Sequence, residues 1–322
     1  MDRLELNVVF VPGTVRYLRY AVLSLLNHTP YDYVVVNNAL PPGEAALLER
    51  LVEGEPRLRY VDLGVDQPLP HGQALNRMFR ASRGSQFAFV DSDVFAVSPF
   101  HEELDRLTTE YDIVTSCHLT YVDPEKATPG FMGRNITSPA GQLLGSSHMA
   151  VYRRRVVRRV REHHGVRFEH HPKPAKLARF AGVLRKYGWD GHPVDTAKLL
   201  NVLALEEGFS LQHQELGGLV HLGGISSHFL RAERKPRTGP LRLDERSLPD
   251  LAPGSASTEE ATEILRTRRR ALGRYFSELL MALEGTGARP VMSLPDSAMK
   301  ERIQRMEAQL EALVTTVRTR AS

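Results

Sequence analysis

The chain has 322 residues, a formal net charge of +4 and a single cysteine, Cys117. That length can bury a full core unaided, the lone thiol excludes an internal disulfide and a cysteine-built metal site, and no apolar run reaches the ~20 residues that span a bilayer. LELNVVFVP follows the first residues with no basic-then-apolar targeting pattern, so the expectation is a cytoplasmic protein whose metal donors are carboxylates and imidazoles.

In chain order, strand and helix signals alternate over the first ~115 residues, the pattern of a parallel sheet with helices on its faces. Leu6 to Val11 is a short apolar run stopped by Pro12-Gly13, and Tyr17 to Leu26 follows with helical spacing. Tyr33 to Val36 is a second strand ending at Asn37-Asn38, and PPGEAALLERLVE is a helix opened by proline. Leu58 to Leu63 reads as a strand, Ala74 to Ala81 as a helix closed by Arg83-Gly84, and Phe87 to Val90 as a strand running into Asp91-Ser92-Asp93. Tyr121 to Leu144 reads as loop, Met149 to Val160 as strand then helix, and Thr196 to Glu207 as a helix with Asp195 at its N-cap. Arg231 to Gly254 has linker composition, and two helices are expected beyond it, Thr258 to Leu283 and Ser297 to Thr319. In the last, Ile303, Met306, Leu310, Leu313 and Val317 form a short heptad seam, expected to self-associate through 297–319, with packing on the chain's own domain as the rival.

The chemistry concentrates in FAFVDSDVF, residues 87 to 95, where a buried strand emerges into two carboxylates. At the carboxyl end of a parallel strand such a pair can hold a hard cation, and the cation can neutralise a diphosphate. The competing reading is a solvated D-x-D in a loop.

VVFVPGT, VVVNNAL and HGQALNRMFRASRGSQFAFVDSD, in that order, resemble the GT-A glycosyltransferases, family 2 above all, over residues 5 to 230. The resemblance implies an α/β fold of GT-A type, a Rossmann-like, mostly parallel sheet with helices on both faces, here with a helical C-terminal extension. It divides the chain into a transferase domain over 1–235, its nucleotide-sugar half about 1–115 and its acceptor half about 116–235, and an extension over 236–322. It also implies a sugar moved from a nucleoside-diphosphate sugar to an acceptor hydroxyl, with Mn2+ or Mg2+ on Asp91, Asp93 and, from VHLGGISSH, His221. Donor contacts fall to Val11, Pro12 and Gly13 at the first turn, Asn37 and Asn38 after the second strand, and His71 and Asn76. Asp91 and Ser92 extend that set, as do Ser146 and Ser147 in GSSHMAVYRR. Asp195 takes the place of the catalytic base of inverting members, with Asp190 second. Three of these assignments have a plain structural rival: Asp195 as a helix cap, His221 as a core histidine, and His71 and Asn76 as pins of a loop.

The chain departs from the family where Asn37-Asn38 replaces a common acidic contact and where Val194-Asp195 replaces an acidic pair. Retaining enzymes share the D-x-D, so inversion is the expectation that Asp195 carries. A sugar-1-phosphate nucleotidyltransferase would open with a glycine-rich basic loop where this chain has PGTVR. A silent GT-A-like scaffold is disfavoured by the intact D-S-D and Asp195.

From Arg153 to Lys186 there are nine Arg and three Lys against Glu162 and Glu169, with His163-His164 and His170-His171. This stretch suits an anionic or phosphorylated acceptor, an anionic membrane surface, or a solvated basic face. Sparse aromatics and the absence of a recognition module argue against nucleic acid.

Overall fold

The computed structural model describes residues 4–116, 136–141, 143–144, 148–191, 193–222, 225–226, 228–229, 241–249 and 258–321. The first half alternates as expected: β1 Glu5–Phe10, α1 Val15–His28, β2 Asp32–Asn37, α2 Pro42–Glu53, β3 Leu58–Asp62, α3 His71–Ala81, β4 Gln86–Val90, β5 Val94–Ala96, α4 His101–Glu110 and β6 Ile113–Ser116. Then come β7 Ile136–Thr137, β8 Leu143–Leu144, β9 Met149–Arg153, α5 Arg154–His164, α6 Ala181–Lys186, α7 Lys198–Glu206, β10 Leu211–His213, β11 Leu219–His221 and β12 Arg242–Leu243. The chain closes with α8 Thr258–Leu283, β13 Val291–Met292 and α9 Ala298–Ala321.

Seven strands form the main sheet in the order β10-β6-β9-β4-β1-β2-β3. β1, β2, β3 and β4 run parallel, as do β6 and β10, while β9 enters antiparallel between β4 and β6. Alternate residues of each strand feed two cores, as the pleat requires. Val8 and Val35 face α1, α4, α8 and α9, whereas Val34, Phe87 and Phe89 face α3, α5 and α7. With both faces covered, β2 reads as a continuous apolar run, and β1 does so except at Asn7, whose buried amide donates to the Ala88 carbonyl at 2.7 Å. The result is the α/β architecture expected from the sequence, with a helical C-terminal extension.

Three expectations change. Within Tyr121 to Leu144, β7 and β8 pair antiparallel, so part of that stretch is a hairpin. In the linker-like stretch, β12 pairs with β13 and buries Leu243. The seam of α9 faces inward: Ile303, Met306, Leu310 and Val314 are buried in the same core as α1 and β5, and Leu313 packs at its margin. Burial at 303, 306, 310 and 314 follows an ordinary helical stripe, so the described part of the expected seam packs on the chain's own domain, and the side chain of Val317 lies outside the described residues.

Candidate active site

Asp91 and Asp93 lie at the carboxyl end of β4, the edge on which open α/β sheets bind ligands. Two antiparallel pairings bring imidazoles to them. β9 runs against β4 with Met149 opposite Val90, so His148 falls beside Asp91, whose N–H donates to the His148 carbonyl at 2.8 Å. β11 runs against β5 with His221 opposite Val94, and the Leu222 N–H donates to the Asp93 carbonyl at 3.1 Å.

The two carboxylates are used differently. Asp91 is partly open, with Oδ2 3.1 Å from His148 Nδ1 and Oδ1 3.8 Å from His71 Nε2. Asp93 is buried; Oδ2 accepts the Ile225 N–H at 3.0 Å and Oδ1 lies 3.1 Å from His221 Nε2. Burial opposes the charge on Asp93, yet His221, then His148 and the Ile225 amide, hold its carboxyl well below the usual range. The His148 and His221 rings stack at 3.7 Å.

One ligand atom each of Asp91, His148 and His221 lie within 4.8 Å of one another, a set able to hold a metal ion. One carboxylate and two imidazoles fit a divalent transition ion better than Mg2+, which favours oxygen alone. Asp93, expected as a ligand, stands behind His221, where a carboxylate fixes tautomer and ring orientation. His148 was missed by sequence reasoning. Its only signal was its place in GSSHMAVYRR.

Asp195 is exposed on the turn before α7 and does not cap the helix as expected. Its Oδ1 accepts the Thr196 N–H at 2.7 Å, its carbonyl accepts from Lys198, and the capping position passes to Ala197, left-handed at φ 63°. A non-glycine residue there costs energy and persists only where its surroundings fix it. The Ala197 N–H donates to the Phe168 carbonyl, and Val194 exchanges both backbone hydrogen bonds with His171. Desolvation works against the charge on Asp195, but the Thr196 amide, Lys198, His148 and His170 prevail and lower its pKa, so it is ionised at neutral pH. Asp190, exposed after Trp189, lies outside the metal-competent group.

The other expected donor contacts divide. His71 is at the site, edge-on to Phe89 beside Asp91. Ser92 is buried between the two carboxylates in sequence. Asn37 binds Tyr60 and the Leu40 N–H, Asn38 clamps both backbone groups of Leu69, and Asn76 ties α3 to Glu169 and Phe168. These three amides pin loops. Val11, Pro12 and Gly13 form the turn before α1, and the Gly13 and Val15 N–H groups donate to Glu44 at 2.7 and 3.1 Å. Ser146 and Ser147 lie outside the described residues.

His213 was also missed. It ends β10 beside Thr115, whose Oγ1 is 2.8 Å from Nδ1, and burial, helped by His148 and Lys198, pushes its pKa down to about 4.

The model of the family described as Glycosyl transferase family 2 matches residues 13–161, a stretch holding Asp91 and His148. No curated protein shows significant sequence similarity. Similar solved structures include the mannosyltransferase PcManGT from Pyrobaculum calidifontis in complex with GDP-Man and Mn2+, at 13% identity, covering 98% of this chain and 87% of that one, TM-score 0.46. Others are S. aureus TarS 1-349, at 12% identity over 98% and 92% of the two chains, TM-score 0.44, and the galactosyltransferase LgtC with donor and acceptor sugar analogs, at 12% over 97% and 96%, TM-score 0.43. All three TM-scores fall below 0.5, so the family match stands on the sequence.

Proposed function

From the premise that residues 13–161 resemble glycosyl transferase family 2 within an α/β fold of GT-A type, we propose that the protein transfers a sugar from a nucleoside-diphosphate sugar to an acceptor hydroxyl. The observation that carries this reading is the gathering of Asp91, His148 and His221 at the carboxyl edge of the sheet. These residues would hold a divalent ion, Mn2+ in preference to Mg2+, which when bound supplies positive charge to the departing diphosphate. Asp93 orients His221, and His71 lines the same edge.

Asp195 is the base in this reading. Supporting this, its carboxylate is ionised and exposed, His148 acts on it electrostatically, and its backbone is fixed by the His171–Val194 bridge and the left-handed turn at Ala197. Asp195 accepts the acceptor hydroxyl's proton as that oxygen attacks the anomeric carbon from the face opposite the diphosphate, whose bond breaks in the same displacement, so the transfer inverts. Cytoplasmic location belongs to the same reading, supported by a chain with one cysteine, and among the described residues no helix is long and apolar enough to cross a membrane.

The test is a panel of UDP-, GDP- and dTDP-sugars with Mn2+, read as release of nucleoside diphosphate. One donor should be turned over slowly by water and faster with acceptor. Asp195→Asn should slow acceptor-dependent transfer by a factor on the order of 10²–10⁴ while donor binding persists. Unchanged transfer in that variant would remove Asp195 from the mechanism, and no Mn2+-dependent release from any donor would remove the function.

A further inference from the structure

Residues 167–176, between α5 and α6, carry Arg167, His170, His171, Lys173 and Lys176. Their position is fixed from the site side. A Cβ on Gly72, next to His71, would stand 2.1 Å from the Phe168 carbonyl oxygen, so α3 begins in direct contact with this segment. Asn76 of α3 binds Glu169 at 2.8 Å, Ala197 donates to Phe168 at 3.2 Å, and His171 pairs with Val194, the residue before Asp195. One face of the segment is thus bolted to the elements that present His71 and Asp195. Beside these contacts, His170, Lys173 and Lys176 are exposed and Arg167 is half-buried.

Several charges on the flanking helices are taken up within the chain. Arg155 of α5 binds Asp112, Arg159 binds Glu207 together with His163 and His164, and Lys186 of α6 binds Glu206. Glu169, the acidic residue within the segment, is held by Asn76 and the Arg167 N–H. His170 acts electrostatically on Asp195, and Lys176 and Arg179 act on His171, so the positive field of the strip reaches the turn that holds the base.

Resting on the reading above, we propose that Arg167, His170, Lys173 and Lys176 form an anion subsite for the acceptor, and that the acceptor carries a phosphate group close to the hydroxyl that receives the sugar. The phosphate is held on the strip while the hydroxyl meets Asp195. A guanidinium, an imidazole and two ammonium groups suit a phosphate, which takes up several donors at once. The phosphate can be borne by a soluble molecule or by a lipid headgroup.

The test uses the full chain in EDTA at constant ionic strength, which keeps divalent ions off the Asp91 cluster. Glycerol 3-phosphate should raise the melting temperature in a saturable way and neutral glycerol at equal concentration should not, or vesicles of phosphatidylcholine with 20% phosphatidic acid, a probe composition, should cosediment the protein where pure phosphatidylcholine does not. The first outcome assigns the phosphate to a soluble acceptor and the second to a lipid. In either arm Arg167→Ala/Lys173→Ala/Lys176→Ala should weaken binding at least tenfold. Lys173→Arg/Lys176→Arg should retain it, and Arg158→Ala/Arg161→Ala on α5 should bind as the parent does. No response in both arms, or equal loss in the α5 variant, would overturn the subsite. Nucleoside-diphosphate binding with Mn2+, measured separately, reports on the proposed function, so each can fail without the other.

Discussion

Asp91 and Asp93 are separated by one residue, yet the fold gives them different duties, because β9 brings His148 to the first and β11 brings His221 to the second. A carboxylate that orients a metal-binding histidine typically contributes 10–100-fold to affinity, whereas a ligand contributes the site itself. Asp91→Asn should therefore abolish Mn2+-dependent stabilisation, and Asp93→Asn should weaken it about 10–100-fold, both read by titrating Mn2+ against the melting temperature. The reverse order would make Asp93 the ligand. His213 gives a pH prediction. Its folded pKa is pushed down to about 4, so as pH falls below the ordinary histidine value the unfolded chain takes up a proton that the folded chain refuses. The stability of the neutral ring is complete above about pH 6.5 and is lost on the way down to about 4, a loss of roughly 3 kcal/mol. Urea unfolding at pH 7 and pH 4.5 should show this slope, and His213→Gln should flatten it. An unchanged slope in the variant would assign the loss to other groups.

Between elements, close approach does what long side chains cannot. Gly72 lets α3 start against the Phe168 carbonyl, and Gly72→Ala places a carbon where no carbon fits, so a destabilisation of about 1–3 kcal/mol is expected in denaturant titration. Wild-type stability would mean that the 166–171 segment moves freely. Glu44 of α2 takes the Val15 amide at the start of α1 and the Gly13 amide of the turn before it, and Glu44→Ala should cost on the order of 1–2 kcal/mol, because both donors lose a charged acceptor. These elements also mark how far the sequence could be read. β1 to β4 were legible because apolar runs, proline-opened helices and the abrupt change at Asp91 are local signals. β9 was legible as a strand from Met149, but its place in the sheet was not, nor was the pairing of β11. Their antiparallel pairings join residues far apart in the chain, and nothing near His148 announces that Asp91 is its neighbour. Asp195 was legible as a residue but not as a conformation, since the left-handed Ala197 that delays α7 is imposed by the distant Phe168 carbonyl.

On the scale of the whole molecule, the last helix is part of the core. Ile303, Met306, Leu310 and Val314 are buried with α1 and α8, the Tyr275 hydroxyl donates to Glu307, and Gln309 reaches the Val97 carbonyl after β5. At roughly 1.5–3 kcal/mol per buried aliphatic side chain, an upper estimate, that stripe rivals the ~5–15 kcal/mol stability of an ordinary domain. Deleting Ser297 to Ser322 should therefore lower the melting temperature sharply or leave the protein insoluble; a truncated chain as stable as the parent would show that α9 is an accessory. β5 leads directly from Asp93 and is packed by α1, which α9 covers in turn, while Gln309 holds the chain just beyond the strand. In the proposed function the metal-competent edge holds a nucleoside diphosphate through a divalent ion. This is tested most directly by calorimetric titration of UDP and GDP into the protein with and without Mn2+. One of them should bind only with Mn2+, and Asp91→Asn and His148→Ala should abolish this binding while the fold persists; binding that ignores both Mn2+ and these substitutions would take the ion out of the site.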